Sequence, residues 1–265
     1  MSDAVPTNSP SPAAGAIPIN SLWPAAGAAP LDDDGLAGRY ERADRPWLRM
    51  NFVTSVDGAA ELAGRSAGLS GPADGPDKRV FAVLRMVCDA LLVGSGTLRQ
   101  ERYRALRLDP RRRDWRRVHG LAEFPTLVVV SAALDLDPVQ PVFADAPVRP
   151  LVLTHERAEP PAGLTDVAEL IRCGIDIVDL AAGLAELRRR GLGQVLCEGG
   201  PRLFGSLTTA DLVDEVCLTV TPLLAGPGAD RISTGFPGAG PARRLPLRHV
   251  LAAADGTLLL RHARD

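Results

Sequence analysis

The 265-residue chain carries a formal net charge of −2 and is 46% hydrophobic, enough for one large domain or two small ones, with no bulk electrostatic reason to expect nucleic acid or an anionic membrane as a partner. No apolar stretch reaches the length of a membrane span, and the N-terminus lacks the basic start and apolar core of a secretory signal, so a cytoplasmic protein is expected. Basic charge is almost all arginine, with Lys78 the one lysine, which reads as composition bias rather than chemistry.

Residues 1–45 are rich in Ala, Pro, Gly and Ser, with an acidic patch at Asp32-Asp33-Asp34; such a segment buries little and is expected to be a flexible N-terminal arm. Residues 46–265 show no internal repeat and no second linker, so one domain is expected. "WLRMNFVTSV" (47–56) reads as a strand. "DKRVFAVLRMVC" (77–88) places apolar residues at 80, 81, 83, 84 and 87, a helical spacing. "DALLVG" (89–94), "PTLVVVS" (125–131), "RPLVLT" (149–154) and "VAELIRC" (167–173) are short strands. The run "RRRDWRR" (111–117) reads as a solvated loop. "DLAAGLAELRRRG" (179–191) is a helix with a glycine stop. "GQVLCEGG" is a strand, followed by the helix "PRLFGSLTTA", which opens on proline. "LVDEVCLTVTPLLAG" contains a strand, and the C-terminus forms a hairpin across Asp255-Gly256. Alternating short buried strands and helices predict an α/β protein with a mostly parallel central sheet, the terminal hairpin adding antiparallel strands.

Four cysteines, Cys88, Cys173, Cys197 and Cys217, form no C-x-x-C pair, and the four histidines are scattered, so reduced thiols and no metal site are expected. Ligands of an open α/β sheet sit beyond the carboxyl ends of its strands, and three such ends carry special residues. "VLCEGGPRLF" (195–204) leaves a strand through Glu198, Gly199 and Gly200 and starts a helix at Pro201; glycines let the backbone turn sharply, and the free first-turn amides favour an anion such as phosphate. A tight turn with a solvated glutamate fits equally well. "LLVGSGTLRQE" (91–101) ends in Gly94-Ser95-Gly96-Thr97, whose amides and hydroxyl suit a phosphate, with Arg99 as a charged partner. "NFVTSVDG" (51–58) closes on Asp57-Gly58, and Asp77 then opens a helix after Pro76, either as a dipole-pairing residue or as an acid aimed into the cleft.

These stretches, in this order, resemble the reductase domain of bacterial riboflavin biosynthesis proteins, over roughly residues 46 to 262. The resemblance implies a three-layer αβα fold shared with dihydrofolate reductase, NADPH as cofactor, a small-molecule substrate and a homodimer. It places Gly94, Ser95, Gly96, Thr97 and Arg99 along the cofactor, with Ser131 and nearby arginines near the 2′-phosphate. Gly199, Gly200, Pro201, Arg202, Leu203 and Phe204 would hold its pyrophosphate and nicotinamide side, and the Gly199–Gly200 bond would be cis. Val53 would meet the nicotinamide carboxamide through its backbone, and Asn51, Asp57 and Glu198 would line the substrate pocket. The implied activity is that of a 5-amino-6-(5-phosphoribosylamino)uracil reductase.

Two departures bear on the substrate. Members of that family often carry a lysine after the Asp-Gly pair, where this chain has Ala59, and an aromatic residue often found near Gly68-Leu69-Ser70 is missing. Asp77, in contrast, resembles the acid with which dihydrofolate reductases bind the pteridine N3 and amino group, and Thr219 resembles the threonine that supports that acid. Three carboxylates, Asp77, Glu198 and Asp57, remain candidates for binding the heterocycle and helping proton delivery. Dihydrofolate reduction through Asp77 is the alternative activity, and a non-catalytic NADPH-binding protein is the alternative of another class.

Overall fold

The apolar runs read from the sequence lie side by side in one sheet of a computed structural model that describes residues 17–235 and 242–265. Its strands are β1 (Ile19–Trp23), β2 (Trp47–Ser55), β3 (Ala90–Gly94), β4 (Thr126–Val130), β5 (Leu151–Thr154), β6 (Glu169–Arg172), β7 (Gln194–Cys197), β8 (Glu215–Thr221), β9 (Leu247–Ala253) and β10 (Leu258–Ala263). Between them run α1 (Asp33–Arg39), α2 (Ala67–Ser70), α3 (Pro76–Val87), α4 (Ser95–Gln100), α5 (Pro110–Val118), α6 (Pro141–Ala144), α7 (Leu164–Val167), α8 (Leu180–Arg189) and α9 (Pro201–Thr209).

Among the described residues the strand order is β1-β9-β10-β8-β2-β7-β3-β4-β5-β6. The stretch from β8 to β6 is parallel, and β8, β10, β9 and β1 pair antiparallel. The expected α/β class, mostly parallel sheet and antiparallel terminal hairpin are therefore all present. The central strands are apolar on both faces because both are covered. On one face Leu91 and Val93 join Val80, Leu84 and Val87 of α3, Leu36 of α1 and Ile19 of β1. On the other, Leu92, Leu48 and Met50 meet Leu184 and Leu187 of α8 and Leu203 and Leu207 of α9.

Two expectations are corrected. The segment expected to be a flexible arm is, from residue 17 onward, part of the fold: β1 pairs with β9, and Ile19 and Leu36 are fully buried. Its strand ladder comes from a partner more than two hundred residues away, which local composition does not reveal. The acidic patch is a helix start, where the Asp32 carboxylate accepts from the Gly35 amide at 2.7 Å and Asp33 holds Arg79 and Arg112, each at 2.9 Å. Residues 1–16 of the expected arm lie outside the described residues. The run 111–117 is not a solvated loop but most of α5, capped by Asp109 with Pro110 in its first turn. Arg116 of α5 is 1% exposed and donates to the carbonyls of Met86, Cys88 and Ala122.

At the amino end of β2 and β8 a buried ionic cluster ties the sheet to α1. Glu215 accepts from Trp47 Nε1 at 2.9 Å, Arg49 Nε at 2.5 Å and Arg261 Nε at 3.0 Å. Burial alone would raise its carboxyl, but Arg49 and then Arg261 outweigh burial and hold it at about 2. The carboxyl ends of β2, β7 and β3 are left to form the site.

Candidate active site

β7 lies between β2 and β3, so the three strand ends singled out in the sequence emerge next to one another. The Gly94 amide donates to the Gly199 carbonyl at 3.0 Å, and the Glu198 amide to the Leu92 carbonyl at 3.0 Å. The turns at 94–97 and 199–204 are thus hydrogen-bonded neighbours. They fit so closely that a Cβ on Gly200 would overlap the Thr97 hydroxyl, whereas Gly96 faces open space. The Gly199–Gly200 peptide is cis, as the resemblance implies. Gly94 and Gly200 immediately precede α4 and α9, neither of which has a side-chain cap, so two sets of first-turn amides stand side by side without an internal acceptor. That donor set, with a glycine cradle between, fits the two phosphates of a dinucleotide.

A cleft of about 380 Å³ opens beside these turns, lined by Asn51, Val53, Asp77, Thr97, Glu198, Gly200 and Pro201 among the residues expected at the site. Asn51 and Val53 come from the end of β2, and Asp77 from the first turn of α3. The Asp77 residue is 4% exposed, and among the described residues its carboxylate has no hydrogen-bonding partner. Ser131, at the end of β4, is buried. Arg99 donates to the Asp135 carbonyl at 2.6 Å and lies 3.3 Å from its carboxylate. Arg202 is exposed, whereas Leu203 and Phe204 turn into the core, where Phe204 stacks on Phe52 with ring centroids 5.0 Å apart.

The three candidate acids part company. Asp57 does not line the cleft: it caps a turn, accepting from the Ser55 hydroxyl at 2.5 Å and from the Ala225 and Gly226 amides at 3.1 and 2.8 Å. Those donors, Ser55 first, hold its carboxyl at about 2. Glu198 lines the cleft wall with both oxygens occupied, by Arg85 Nε and Nη2 at 2.6 Å each and by the Tyr103 hydroxyl at 2.7 Å. Burial would lower the Arg85 guanidinium, but the Glu198 charge outweighs it and raises it. Burial, then Glu198, pushes the Tyr103 phenol well up, which keeps it a donor. Thr219 is buried on β8 without the hydrogen bond to Asp77 that the resemblance implies.

Cleft residues not foreseen include Lys78, Phe81, Arg85, Arg102, Tyr103 and Arg104, and the acids Glu61, Glu101 and Asp230. Phe81 and Arg85 sit one and two turns after Asp77, so the helical spacing already put them on its face. The Arg85 guanidinium lies over the Phe81 ring, 4.2 Å from its centroid. The loop residues 102–104 had no periodicity to announce them. Cys88 and Cys197 are pushed up to about 12 by burial, so neither is a thiolate nucleophile. Among the described residues no His, Cys, Asp or Glu cluster could hold a metal ion, and no helix is long and apolar enough to cross a membrane.

The family model of the RibD C-terminal domain matches residues 46–259. The 2,5-diamino-6-ribosylamino-4(3H)-pyrimidinone 5′-phosphate reductase of Methanothermobacter thermautotrophicus is 30% identical over 185 residues, 69% of this chain and 80% of that protein. Its namesake in Archaeoglobus fulgidus is 29% identical, over 69% of this chain and 83% of that one. A solved pyrimidine reductase-like protein of Corynebacterium diphtheriae superposes with a TM-score of 0.74 at 27% identity, covering 83% of this chain and 93% of that one.

Proposed function

The chain belongs to the RibD C-terminal domain family, and on that premise we propose that it is an NADPH-dependent reductase of a 5-amino-6-ribosylaminopyrimidine 5′-phosphate in riboflavin biosynthesis. The observation that carries this reading is the bond between Gly94 and Gly199, which joins two uncapped helix starts beside an acid-lined cleft.

In this reading Gly94 to Thr97 and Gly199 to Pro201 hold the pyrophosphate by main-chain amides, with Arg202 exposed at the same helix start. Ser131 and Arg99 serve the 2′-phosphate, and α4, which carries Arg99, leads directly from β3 to that side of the sheet. The Val53 backbone and the Phe52–Phe204 stack support the nicotinamide side. When bound, the reduced nicotinamide supplies the hydride that the imine carbon of the ring-opened ribosylamino group accepts, while the imine nitrogen takes a proton. The protein binds and orients. Asn51 and Asp77 meet the pyrimidine, and Phe81, held under Arg85, offers an apolar wall. Lys78, Arg102 and Arg104 line the same cleft without a carboxylate partner among the described residues, and we assign them the substrate phosphate, in place of the lysine missing at Ala59. Glu198 is a positioning residue for Arg85, and Asp57 holds a turn.

Titration with NADPH and NADH, followed by cofactor absorbance during turnover of the ribosylaminopyrimidine phosphate, tests this reading. Preferential binding and oxidation of NADPH is expected; no oxidation in the presence of substrate refutes it. A dihydropterin is the second reading, favoured by the buried Asp77 and disfavoured by the absent Thr219 contact; turnover of dihydrofolate decides it. A homodimer in the cytoplasm completes the proposal, and sedimentation velocity checks the assembly.

A further inference from the structure

Residues 58–66 leave the Asp57 turn and form one rim of the cleft, with Ala60, Glu61 and Ser66 in its lining. No residue between Ala59 and Leu69 is buried, so no core contact fixes this rim. Polar bonds hold it instead, and they converge on the end of α4. The Ser66 amide donates to the Glu101 carboxylate at 2.8 Å. The Gln100 side-chain amide donates to the Gly64 carbonyl. On the far side the Ala60 amide donates to the Asp230 carbonyl at 3.0 Å. Lys78, Arg85, Arg102 and Arg104 line the same cleft, yet among the described residues the Glu101 carboxylate pairs with none of them and goes to a backbone amide. Two non-glycine residues adopt left-handed backbone at this junction, Ala63 at the loop tip with φ 50° and Arg102 beside Glu101 with φ 52°. Such conformations cost energy unless surrounding contacts impose them, and the bonds from Gln100 and Glu101 are the contacts in place.

At its other end α4 begins with the turn that the reductase reading gives to the cofactor. The helix is six residues long, roughly 9 Å at 1.5 Å per residue, and the Glu101 amide closes it on the Thr97 carbonyl at 2.9 Å. Thr97 in turn lies against Gly200. Resting on that reading, we infer that Glu101 is a positioning residue: it ties the substrate-side rim to the cofactor helix, so that a bound cofactor orders the surface on which the substrate docks. The first ligand then completes the ordering of the rim, and the second binds without that cost. By linkage the two ligands raise each other's affinity by one common factor. What the tie needs is an acceptor oxygen rather than a negative charge, because its donor is a neutral amide.

The test compares the wild type with Glu101→Gln, which keeps an acceptor oxygen, and Glu101→Ala, which has none. Ser66→Pro gives an independent break, since it deletes the donor at a residue whose φ of −69° suits proline. Calorimetry measures binding of the reduced product, the ribitylaminopyrimidine phosphate, with and without saturating NADP+. In the wild type NADP+ is expected to tighten product binding by about 5- to 150-fold. Glu101→Gln keeps most of that factor, whereas Glu101→Ala and Ser66→Pro bring it close to unity. Hydrogen exchange gives the local readout: NADPH alone slows exchange of the amides of residues 60–66 in the wild type and in Glu101→Gln, and not in Glu101→Ala. In turnover, Glu101→Ala raises KM for the ribosylaminopyrimidine phosphate by at least about tenfold and changes kcat far less. Equal coupling in the wild type and Glu101→Ala, or no coupling in the wild type, overturns the inference while leaving the reductase reading intact. Glu101→Gln behaving as Glu101→Ala also overturns it, by making the charge of Glu101 the working feature. No binding of NADPH to the wild type overturns the reductase reading and this inference with it. Should Glu101→Ala fail to fold, Ser66→Pro and the wild-type exchange decide.

Discussion

Removing Arg85 and removing Glu198 should have unequal consequences, and the inequality measures what Glu198 does. The Glu198 side chain is 1% exposed and that of Arg85 22%. Arg85→Met leaves the buried carboxylate with the Tyr103 hydroxyl alone. Breaking a buried pair by deleting one partner costs about 3–5 kcal/mol, because the other charge stays uncompensated; the partial exposure of Arg85 puts this pair near the lower bound, at roughly 3 kcal/mol. At about 2–4 °C per kcal/mol for a chain of this size, Tm falls by roughly 6–12 °C. Glu198→Gln keeps one oxygen, which can still accept from both the Tyr103 hydroxyl and Arg85 Nη2, and the exposed portion of Arg85 can be hydrated, so the expected loss is only about 1 kcal/mol. Thermal and urea unfolding of both variants and of the double variant give the coupling. Steady-state kinetics give the second readout: Glu198→Gln raises KM as the Arg85–Phe81 wall loosens, with kcat and its pH profile nearly unchanged. Equal destabilisation by the two variants would refute the ion-pair reasoning. A loss of kcat of a thousandfold or more, with one limb of the pH profile gone, would make Glu198 a proton donor rather than a strut.

A Cβ on Gly205 of α9 would overlap the Thr234 carbonyl, whose own amide donates to the Pro201 carbonyl at 3.1 Å. Gly205→Ala is therefore expected to lower stability by about 1–3 kcal/mol through overpacking, and to weaken NADPH binding by shifting α9. Gly38→Ala, facing open space on α1, should raise Tm by the helix-propensity gain of roughly 1 kcal/mol, and differential scanning calorimetry reads both. His249 is 3% exposed, packs edge-on against Tyr40 at 4.9 Å, and is lowered from 6.5 to about 4 by burial and then by Arg261. A group whose folded value is depressed contributes stability above its unfolded value and loses it as pH falls, here between pH 6.5 and 4, by roughly 3 kcal/mol in all. Urea midpoints measured across that range should fall in the wild type and stay flatter in His249→Gln; parallel curves would refute the assignment. Glu215, held at about 2 against an ordinary 4.5, adds a second loss in the same direction only below pH 4.5.

The central strands were legible because their apolar runs are short, bounded by glycine or charge, and buried on both faces. β1 was not: Ile19–Trp23 sits in a stretch of Ala, Pro and Gly, and only its pairing with β9 makes it a strand. α5 was hidden by its arginines, which suggest solvent, although Asp109-Pro110 is a helix-start signal that could have been read. Arg116 shows why charge misleads there: three backbone carbonyls replace the water it gives up. At the site, the glycine turns were legible because backbone demands restrict residue type. The helical spacing from Asp77 also carried Phe81 and Arg85, whereas the loop residues Arg102, Tyr103 and Arg104 had no pattern behind them.

What the sequence could not do was rank Asp57, Glu198 and Asp77, since each is an acid near a strand end or helix start. Their roles are set by donors, and the donors come from distant parts of the chain. Asp57 has Ser55 and two amides from residues 225 and 226. Glu198 has Arg85 and Tyr103. A carboxylate already satisfied three times over has little left to offer a ligand, because each new bond must displace an old one. Asp77 is as buried as Glu198 yet has no such partners, so a bound ring gains there what it cannot gain at the other two. That difference, rather than proximity to the turns, is what supports the role proposed for Asp77 in substrate recognition.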